Sequence, residues 1–360
     1  MKDLKALPKA HLHIHLEGAM RPSTLAELCL RYSIATPPDT RGQKFDNFGG
    51  FVQTYFAACD CLRSKDDLAR LILEVAEDAA EQGVWWLEAA YDGDRFSIMR
   101  ADTPYQLFDS ARDSWLFALE AARVAEAKTG VAIAFVSAVD RSQPIERAMH
   151  RAQTTIELVA NDDHLIRSDL PNVGATHAGV VAFGLHGNEQ GYPPEPFADA
   201  FRLVKERSPL LMTPHAGEIA PSPGQGAASV RGAVDVLGAD RIMHGVLGIE
   251  DTALVDRLAE ERICLDVCPS SNILLKVFAS MEEHPLRTLM QRGVPCDLGS
   301  DDPLLFGPSL LDEFEVCRTE MHMSDDELAT LARNSFEFSG APERLKAHGL
   351  KEIERWLADG

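Results

Sequence analysis

The chain has 360 residues, of which 45% are hydrophobic and 25% are charged, a composition typical of globular proteins. Its 35 basic and 56 acidic residues give a net charge of −21, which disfavours nucleic-acid binding because a polyanion would be repelled. No apolar signal segment opens the chain, and no apolar run approaches the roughly 18 residues of a membrane span. The seven cysteines are scattered and suggest no disulfide framework, so we expect a cytoplasmic protein. The length of the chain favours one domain over residues 1–360.

Eight short apolar segments alternate with longer amphipathic segments along the chain. This alternation predicts a (β/α)8 TIM barrel with extra helices between strands 1 and 2. The predicted strands are Ala10–His15, Val84–Ala90, Val131–Ala138, Val180–Leu185, Leu210–Pro214, Arg241–His244, Ile263–Val267 and Val294–Leu298. The predicted crossover helices are Asp66–Gln82, Pro104–Thr129, Pro144–Val159, Pro196–Arg207, Ala228–Leu237, Glu250–Glu261 and Pro285–Arg292.

The segment between the first two strands is long enough for two extra helices. Ser23 and Thr24 can cap the first of them, and five aromatic residues recur at helical spacing along the second. Such a stripe is typical of core packing, and a hydrophobic lid over a site, formed by Phe45–Cys61, is the alternative. The stripe consists of Phe45, Phe48, Phe51, Tyr55 and Phe56.

Polar clusters follow five of the eight predicted strands. In a barrel of this kind, catalytic residues lie at the carboxyl ends of the strands, so we expect these clusters to meet at one mouth. The clusters are His13 and His15 after the first strand, Leu185–Glu189 after the fourth, Pro214–Glu218 after the fifth, Met243–Gly245 after the sixth and Gly299–Pro303 after the eighth.

Three imidazoles and one carboxylate at the mouth would suit zinc, which takes nitrogen and oxygen ligands and keeps a position for water. His11 shares one face of an extended strand with His13, so spacing alone leaves open whether the pair is His11 and His13 or His13 and His15. The fourth strand and its loop, Val180–Glu189, contain no lysine that could bridge two metals, which favours a single zinc ion per chain. The predicted ligands are His13, His15, His215 and Asp301.

Two further side chains have the chemistry for proton transfer beside such a metal, which lowers the pKa of bound water toward neutrality. His244 could accept a proton from the attacking water, and a protonated Glu218 could donate one to a ring nitrogen of the substrate. Alternatively, His244 could be a fourth imidazole ligand, and Glu218 could be a charge at the N-terminus of the following helix.

Together, these motifs resemble the adenosine and adenine deaminase family of the metal-dependent amidohydrolase superfamily. The resemblance selects His13 and His15 as the metal-binding pair and leaves His11 outside. The matching pieces, which follow the family order over most of the chain, are His13–Gly18, Arg21-Pro22, His215–Glu218, Arg241–Gly245, Cys268–Asn272 and Ser300–Pro303.

The resemblance implies zinc-dependent hydrolytic deamination of a 6-aminopurine, either an adenosine-type nucleoside or adenine, to the 6-oxopurine and ammonia. Glu218 would protonate purine N1, His244 would deprotonate and orient the attacking water, Asp302 would contact N7, and the Gly187 N–H would contact N3. The implied roles are metal binding by His13, His15, His215 and Asp301, catalysis by Glu218 and His244, and substrate binding by Asp302, Gly187, Glu17 and His186.

Departures from the family pattern leave the substrate open. Adenosine deaminases commonly have an aspartate for the ribose 5′-hydroxyl where this chain has Glu17. The run Gly184–Glu189 has the shorter length that resembles adenine deaminases, yet Gly187 stands where those enzymes tend to have serine. His186 replaces an aspartate, and it either supports the site or contacts the substrate.

Two other functions remain alternatives, and the oligomeric state is open. An amidohydrolase acting on a pterin or another aminated base is disfavoured because Glu218 and Asp302 suit the N1 and N7 edge of a purine. A non-catalytic zinc-binding protein is disfavoured because it would have no need of Glu218 and His244.

Overall fold

The computed structural model describes residues 1–97, 106–170 and 173–359. Eight parallel strands form a nearly closed barrel in the order β1-β2-β3-β5-β6-β7-β8-β9, while β4 pairs antiparallel with β5 outside that path. The predicted (β/α)8 barrel is therefore confirmed. The strands are β1 Lys9–His15, β2 Val84–Tyr91, β3 Ala132–Asp140, β4 Leu165–Leu170, β5 Gly174–His186, β6 Leu211–Ala216, β7 Arg241–His244, β8 Cys264–Val267 and β9 Cys296–Leu298.

Helices cover the outside of the barrel and extend past its last strand. The helix α13 packs against β1, where the Ala10 N–H donates to Ser335 Oγ at 2.9 Å. None of the helices in the described ranges has the length and apolar composition that a bilayer crossing requires. The helices are α1 Pro22–Tyr32, α2 Phe48–Cys59, α3 Lys65–Glu81, α4 Ala111–Thr129, α5 Ile145–Ala160, α6 Ala198–Arg207, α7 Gln225–Asp235, α8 Thr252–Glu260, α9 Pro269–Leu274, α10 Leu286–Gln291, α11 Pro303–Phe306, α12 Leu310–Thr319, α13 Asp325–Glu337 and α14 Glu343–Ala358.

Every predicted strand overlaps an observed one, but the fourth is much longer than predicted. The strand β5 begins at Gly174, and its first half pairs with β4 to form an antiparallel arm. Exposed and buried residues alternate along β4, and this pattern of a sheet with one solvated face differs from the continuously apolar barrel strands. The predicted helix Pro104–Thr129 starts at Ala111, and residues 104–105 lie outside the described residues.

The predicted N-cap of the first extra helix is wrong. Arg21 is the N-cap residue of α1, Pro22 is its first helical residue, and Thr24 lies within the first turn. The Thr24 hydroxyl donates to Glu74 Oε2 of α3 at 2.6 Å, so it ties two helices together. Proline at the first helical position needs no N–H partner, which explains why a side-chain cap is dispensable here.

A buried arginine at the start of β7 joins three strands inside the barrel. Arg241 Nη2 lies 2.8 Å from Glu88 Oε2 of β2, and Arg241 Nε lies 2.6 Å from Asp266 Oδ2 of β8. All three side chains are at most 1% exposed. Removal of one partner of a buried ion pair leaves an uncompensated charge, which costs more than the pair itself contributes.

We expect Arg241→Met to lower the free energy of unfolding by about 3 to 5 kcal/mol, because Glu88 and Asp266 would remain buried without their counter-ion. Urea unfolding followed by circular dichroism measures the change. The control is Arg257→Met, which removes the half-exposed pairs with Asp235 and Glu261 and should cost about 0 to 1 kcal/mol. Equal losses in the two variants would contradict this account of Arg241.

Candidate active site

A half-open cavity of about 280 Å³ lies at the carboxyl ends of the barrel strands. Its floor carries the polar residues that end the strands, and one wall is the aromatic face of α2. The predicted site residues that line it are His15, Glu17, His186, Gly187, His215, Glu218, Asp301 and Asp302.

Several histidine rings lie close together at the floor of this cavity. Backbone carbonyls determine which ring nitrogen carries the proton in two of them. His13 Nδ1 lies 2.9 Å from the Asp266 carbonyl, and His215 Nδ1 lies 2.8 Å from the Leu185 carbonyl. Each Nδ1 therefore carries the proton and donates it, which leaves the lone pair on Nε2. His215 Nε2 is 3.3 Å from His15 Nε2, and His13 Nε2 is buried without a hydrogen-bond partner.

The carboxylate of Asp301 completes this cluster. Its Oδ1 lies 3.4 Å from His15 Nε2 and 3.8 Å from His13 Nε2, while its Oδ2 accepts a hydrogen bond of 2.7 Å from Ser271 Oγ. The backbone of Asp301 is left-handed, with a φ of 58°. Non-glycine residues in this region cluster at functional sites, where the surrounding contacts hold them.

The donor set formed by His13, His15, His215 and Asp301 fits a divalent metal ion. Burial lowers the pKa of His13 and of His215 well below the usual value, and neighbouring histidines lower both further. The imidazoles are therefore neutral, which is the form that binds metals. Cys268 also lies near this cluster, but burial raises the pKa of its thiol, which disfavours the thiolate needed for metal binding.

Two ionisable side chains lie beside the cluster. His244 Nε2 is 3.6 Å from Glu218 Oε1 and 3.8 Å from Asp301 Oδ2, and it has no hydrogen-bond partner. Like Asp301, His244 has a left-handed backbone, with a φ of 67°. Burial raises the pKa of Glu218 well above its usual value, and Asp301 raises it further. Glu218 is therefore a protonated acid that can donate a hydrogen bond.

Glu189 holds the backbone that carries Glu218. Its Oε1 accepts the Gly217 N–H at 2.7 Å, and its Oε2 accepts the N–H groups of Glu218 and Ile219 at 2.9 and 3.0 Å. The position of the Glu218 backbone thus depends on a carboxylate from the loop after β5. No sequence motif predicted a role for Glu189, although it is the last residue of a polar cluster at a strand end.

Asp302 lies under the same cavity at the start of α11. Within the described part of the chain its Oδ1 is buried without a hydrogen-bond partner, and burial raises the pKa of this carboxyl well above its usual value. A Cβ atom on Gly18 would lie 1.7 Å from Asp302 Oδ1, so the glycine is what allows this approach. Gly187 has a φ of 89°, and a Cβ there would lie 2.6 Å from Asp140 Oδ1, which again requires glycine.

The remaining predicted contacts lie higher in the cavity. Tyr55 Oη donates to Glu17 Oε2 at 3.2 Å, while Glu17 Oε1 is buried and has no hydrogen-bond partner among the described residues. Burial raises the pKa of Glu17 to about 7. The ring of His186 is 5.6 Å from that of His15, and burial lowers its pKa to about 4. His11 lies apart from the metal-binding cluster, and its Nε2 accepts the Ser300 N–H at 3.1 Å.

The aromatic stripe packs in the core, and part of it also lines the cavity. The rings of Phe45 and Phe51 pack on Phe306, with centroids 5.8 and 5.2 Å apart. The helix α2 begins at Phe48, so Phe45 precedes the predicted helix, and Phe51 and Tyr55 of α2 also face the cavity that this helix roofs.

Several residues of the site carried no role in the sequence analysis. Asn272 Nδ2 is 3.4 Å from His244 Nδ1, and Asn272 Oδ1 is 3.0 Å from His284 Nε2. Asp92 and Arg95 follow β2, and Asp140 ends β3; all three line the cavity. The rule that catalytic side chains follow barrel strands would have found them, had it been applied to the second and third strands as well.

Comparisons with known proteins agree with this geometry. A sequence profile of the adenosine deaminase family matches residues 8–356. A protein of Streptomyces virginiae with the provisional name adenosine/adenine deaminase is 37% identical, and the match covers 99% of this chain and 98% of that protein. An aminodeoxyfutalosine deaminase of Streptomyces avermitilis is 32% identical, over 99% of this chain and 92% of that protein.

Two solved structures share the whole fold. The adenine deaminase of Arthrobacter aurescens has a TM-score of 0.82 and 28% identity, over 98% of this chain and 99% of that one. An amidohydrolase of Burkholderia ambifaria with bound zinc has a TM-score of 0.81 and 25% identity, over 99% of this chain and 93% of that one. Because the family profile and these matches span nearly all of the sequence, the chain belongs to the adenosine deaminase family and is a hydrolytic deaminase of adenine- or adenosine-type substrates.

Proposed function

We propose that this enzyme is a zinc-dependent deaminase that converts a 6-aminopurine nucleoside to the 6-oxopurine nucleoside and ammonia. The observation that carries the proposal is the meeting of neutral imidazoles and one carboxylate beside a protonated Glu218 at the floor of one cavity. Three nitrogen ligands and one oxygen ligand suit zinc among the common metals. The zinc bound by the Burkholderia ambifaria amidohydrolase supports the same choice.

The four ligands are His13, His15, His215 and Asp301, holding one zinc ion per chain. Zinc supplies Lewis-acid chemistry that makes water nucleophilic near neutral pH. The carbonyls of Asp266 and Leu185 fix two of the imidazoles through their Nδ1 protons, so the site needs little rearrangement to bind the ion.

The chain's own residues move the protons. Glu218 donates its proton to purine N1, which draws electron density from C6 and makes that carbon electrophilic. His244 orients the attacking water through Nε2, which has no hydrogen-bond partner among the described residues, and burial lowers its pKa so that the ring stays neutral. His244 Nε2 and Glu218 Oε1 lie 3.6 Å apart, so we expect both side chains to act on the same part of the substrate.

Other residues hold the purine ring in place. Asp302 Oδ1 contacts N7, and the Gly187 N–H donates to N3, so that the two edges of the ring are read from opposite sides. Since the buried Oδ1 of Asp302 has no protein partner, the substrate would satisfy it. His186, which lines the cavity beside His15, contacts the substrate near the same edge as Gly187.

Glu17 favours a nucleoside over the free base. Its Oε1 is buried and has no hydrogen-bond partner among the described residues, and Glu17 lines the cavity together with Tyr55. A sugar hydroxyl would provide the missing hydrogen bond, whereas adenine would leave it unmade at a cost of about 1 to 3 kcal/mol. Because some relatives are named adenine deaminase, adenine is the competing substrate to test against the nucleoside.

We infer a cytoplasmic location for the enzyme. All seven cysteines are free thiols, including the buried pair Cys29 and Cys61, whose sulfur atoms are 3.4 Å apart. Thiols this close stay reduced most readily in a reducing compartment.

Removal of the metal should abolish deamination of adenosine and lower the melting temperature, because the ion binds the folded chain only. Dialysis against a chelator, followed by metal analysis, an ammonia assay and differential scanning calorimetry, measures both effects. Adding one equivalent of zinc should restore activity and stability. A metal-free enzyme with full activity would refute the zinc-dependent reaction.

Glu218→Gln should lower kcat for adenosine by about a hundredfold to ten thousandfold, since the amide cannot protonate N1. Zinc content and folding should match the wild type, because Glu218 is not a ligand. The control is Glu206→Gln, an exposed position on α6 that should behave as wild type. If Glu218→Gln binds zinc and retains wild-type turnover, Glu218 is not the proton donor.

A substrate panel separates the nucleoside from the base. We expect kcat/KM for adenosine to exceed that for adenine, and Glu17→Ala to reduce the value for adenosine while leaving that for adenine within about threefold. Ultraviolet absorbance of the purine follows both reactions. Higher kcat/KM on adenine would identify the enzyme as an adenine deaminase and contradict the role given to Glu17.

A further inference from the structure

A buried arginine lines the cavity at a place where the proposed chemistry does not use it. Arg95 lies in the loop after β2, and the whole residue is only 5% exposed. Its guanidinium carbon is 4.9 Å from the ring centroid of Phe56, so the planar group rests on the roof helix. A buried cation in an enzyme cavity needs a partner, because burial without one is costly.

The protein satisfies only part of this guanidinium. Arg95 Nη2 donates to Asp60 Oδ1 at 2.9 Å, and Asp60 is itself 40% exposed on its side chain. Arg95 Nε is buried and has no hydrogen-bond partner among the described residues. An arginine carries five N–H donors in a rigid fork that matches the two oxygens of a carboxylate or phosphate. The donors of Arg95 are thus available to a ligand with such oxygens.

Nearby acidic groups already have partners of their own. Arg151 pairs with Asp92 and lies 2.8 Å from Asp94 Oδ2, and Asp140 accepts hydrogen bonds from Ser142. Glu17, whose pKa burial raises to about 7, accepts from Tyr55 and does not contact Arg95 within hydrogen-bond distance. The positive charge of Arg95 is therefore balanced by the Asp60 carboxylate and interacts at longer range with Glu17, while its Nε–H has no hydrogen-bond partner among the described residues.

A continuous line of contacts leads from the metal-binding cluster to Arg95. The ring centroids of His15 and Tyr55 are 6.3 Å apart, and those of Tyr55 and Phe56 are 5.7 Å apart. The guanidinium group of Arg95 lies over the ring of Phe56. If purine C6 is at the cluster, the substituent on N9 extends along this line, past Glu17. Arg95 then stands where the far end of that substituent would lie.

We propose that Arg95 binds an anionic group, a carboxylate or a phosphate, at the far end of the N9 substituent. The preferred substrate is accordingly an anionic 6-aminopurine nucleoside rather than adenosine itself. This inference rests on the proposed function, because it assumes the orientation of the purine given above. Charge-assisted, two-pronged hydrogen bonds from arginine are among the strongest that a binding site can offer such a group.

The test compares substrates on the zinc-loaded wild-type enzyme. Adenosine, adenosine 5′-monophosphate and adenosine-5′-carboxylic acid differ in the group at the end of the ribose. We expect kcat/KM for at least one anion to exceed that for adenosine by tenfold or more, with the advantage shrinking as salt screens the charge. The better of the two anions tells phosphate from carboxylate.

Arg95→Met then tests the residue itself, since methionine keeps an apolar contact with Phe56 and removes the charge. It should lower kcat/KM for the preferred anion by about tenfold to a hundredfold and leave adenosine within about threefold. The control is Arg112→Met, whose side chain is 43% exposed and pairs with Asp163, and it should change neither value.

The outcomes separate the two proposals. Turnover of adenosine with no preference for either anion overturns the role of Arg95 and leaves the deaminase proposal standing. Equal losses on adenosine and on the anions in Arg95→Met show a structural role and also overturn it. Absence of turnover on every 6-aminopurine overturns the proposed function itself. If Arg95→Met does not fold, the wild-type ratio of kcat/KM values and its salt dependence decide the question.

Discussion

The site depends on how the barrel closes between its first and last strands. The His15 N–H donates to the Asp301 carbonyl at 3.0 Å, and the Asp301 N–H donates to the His13 carbonyl at 3.1 Å. Because the backbone makes this closure, the side chains of all three residues remain available to the cluster beneath the cavity. The left-handed turn at Asp301 is part of this arrangement, and the bond from Ser271 to its carboxylate holds the side chain in place.

Burial then sets the protonation states from which the chemistry follows. It lowers the pKa of the imidazoles and raises the pKa of Glu218, since an environment that excludes water disfavours the charged form of either group. One physical cause therefore yields neutral metal ligands and a protonated acid side by side. Glu189 fixes the backbone position of Glu218, because its carboxylate accepts hydrogen bonds from three successive N–H groups at residues 217–219.

The upper part of the cavity is built from different elements and distinguishes substrates. Glu17 follows β1, Tyr55 belongs to α2, and Arg95 lies in the loop after β2. Loops and an added helix can vary without disturbing the barrel, which is why this fold supports substrate changes on a constant catalytic floor. The unpartnered Glu17 Oε1 and Arg95 Nε are the two features of this part that point beyond the purine ring.

The sequence by itself determined the barrel and the residues gathered at its mouth. Strand periodicity and polar residues at strand ends are local signals, so the motifs at His13, His215 and Asp301 could be read without a structure. Local signals failed where a distant partner decides the outcome. Thr24 is not a cap because Glu74 takes its hydroxyl, and β4 exists because the first half of β5 pairs with it.

Only the tertiary structure decided which residues support the site and which face the substrate. Glu189 reaches a loop that follows the next barrel strand, and Arg95 becomes notable only once its cavity and its missing partner are seen. Both properties depend on contacts between elements far apart in the chain, and neither composition nor spacing records such contacts. Residue types at strand ends therefore predicted the chemistry, whereas the substrate depends on how loops and helices pack above them.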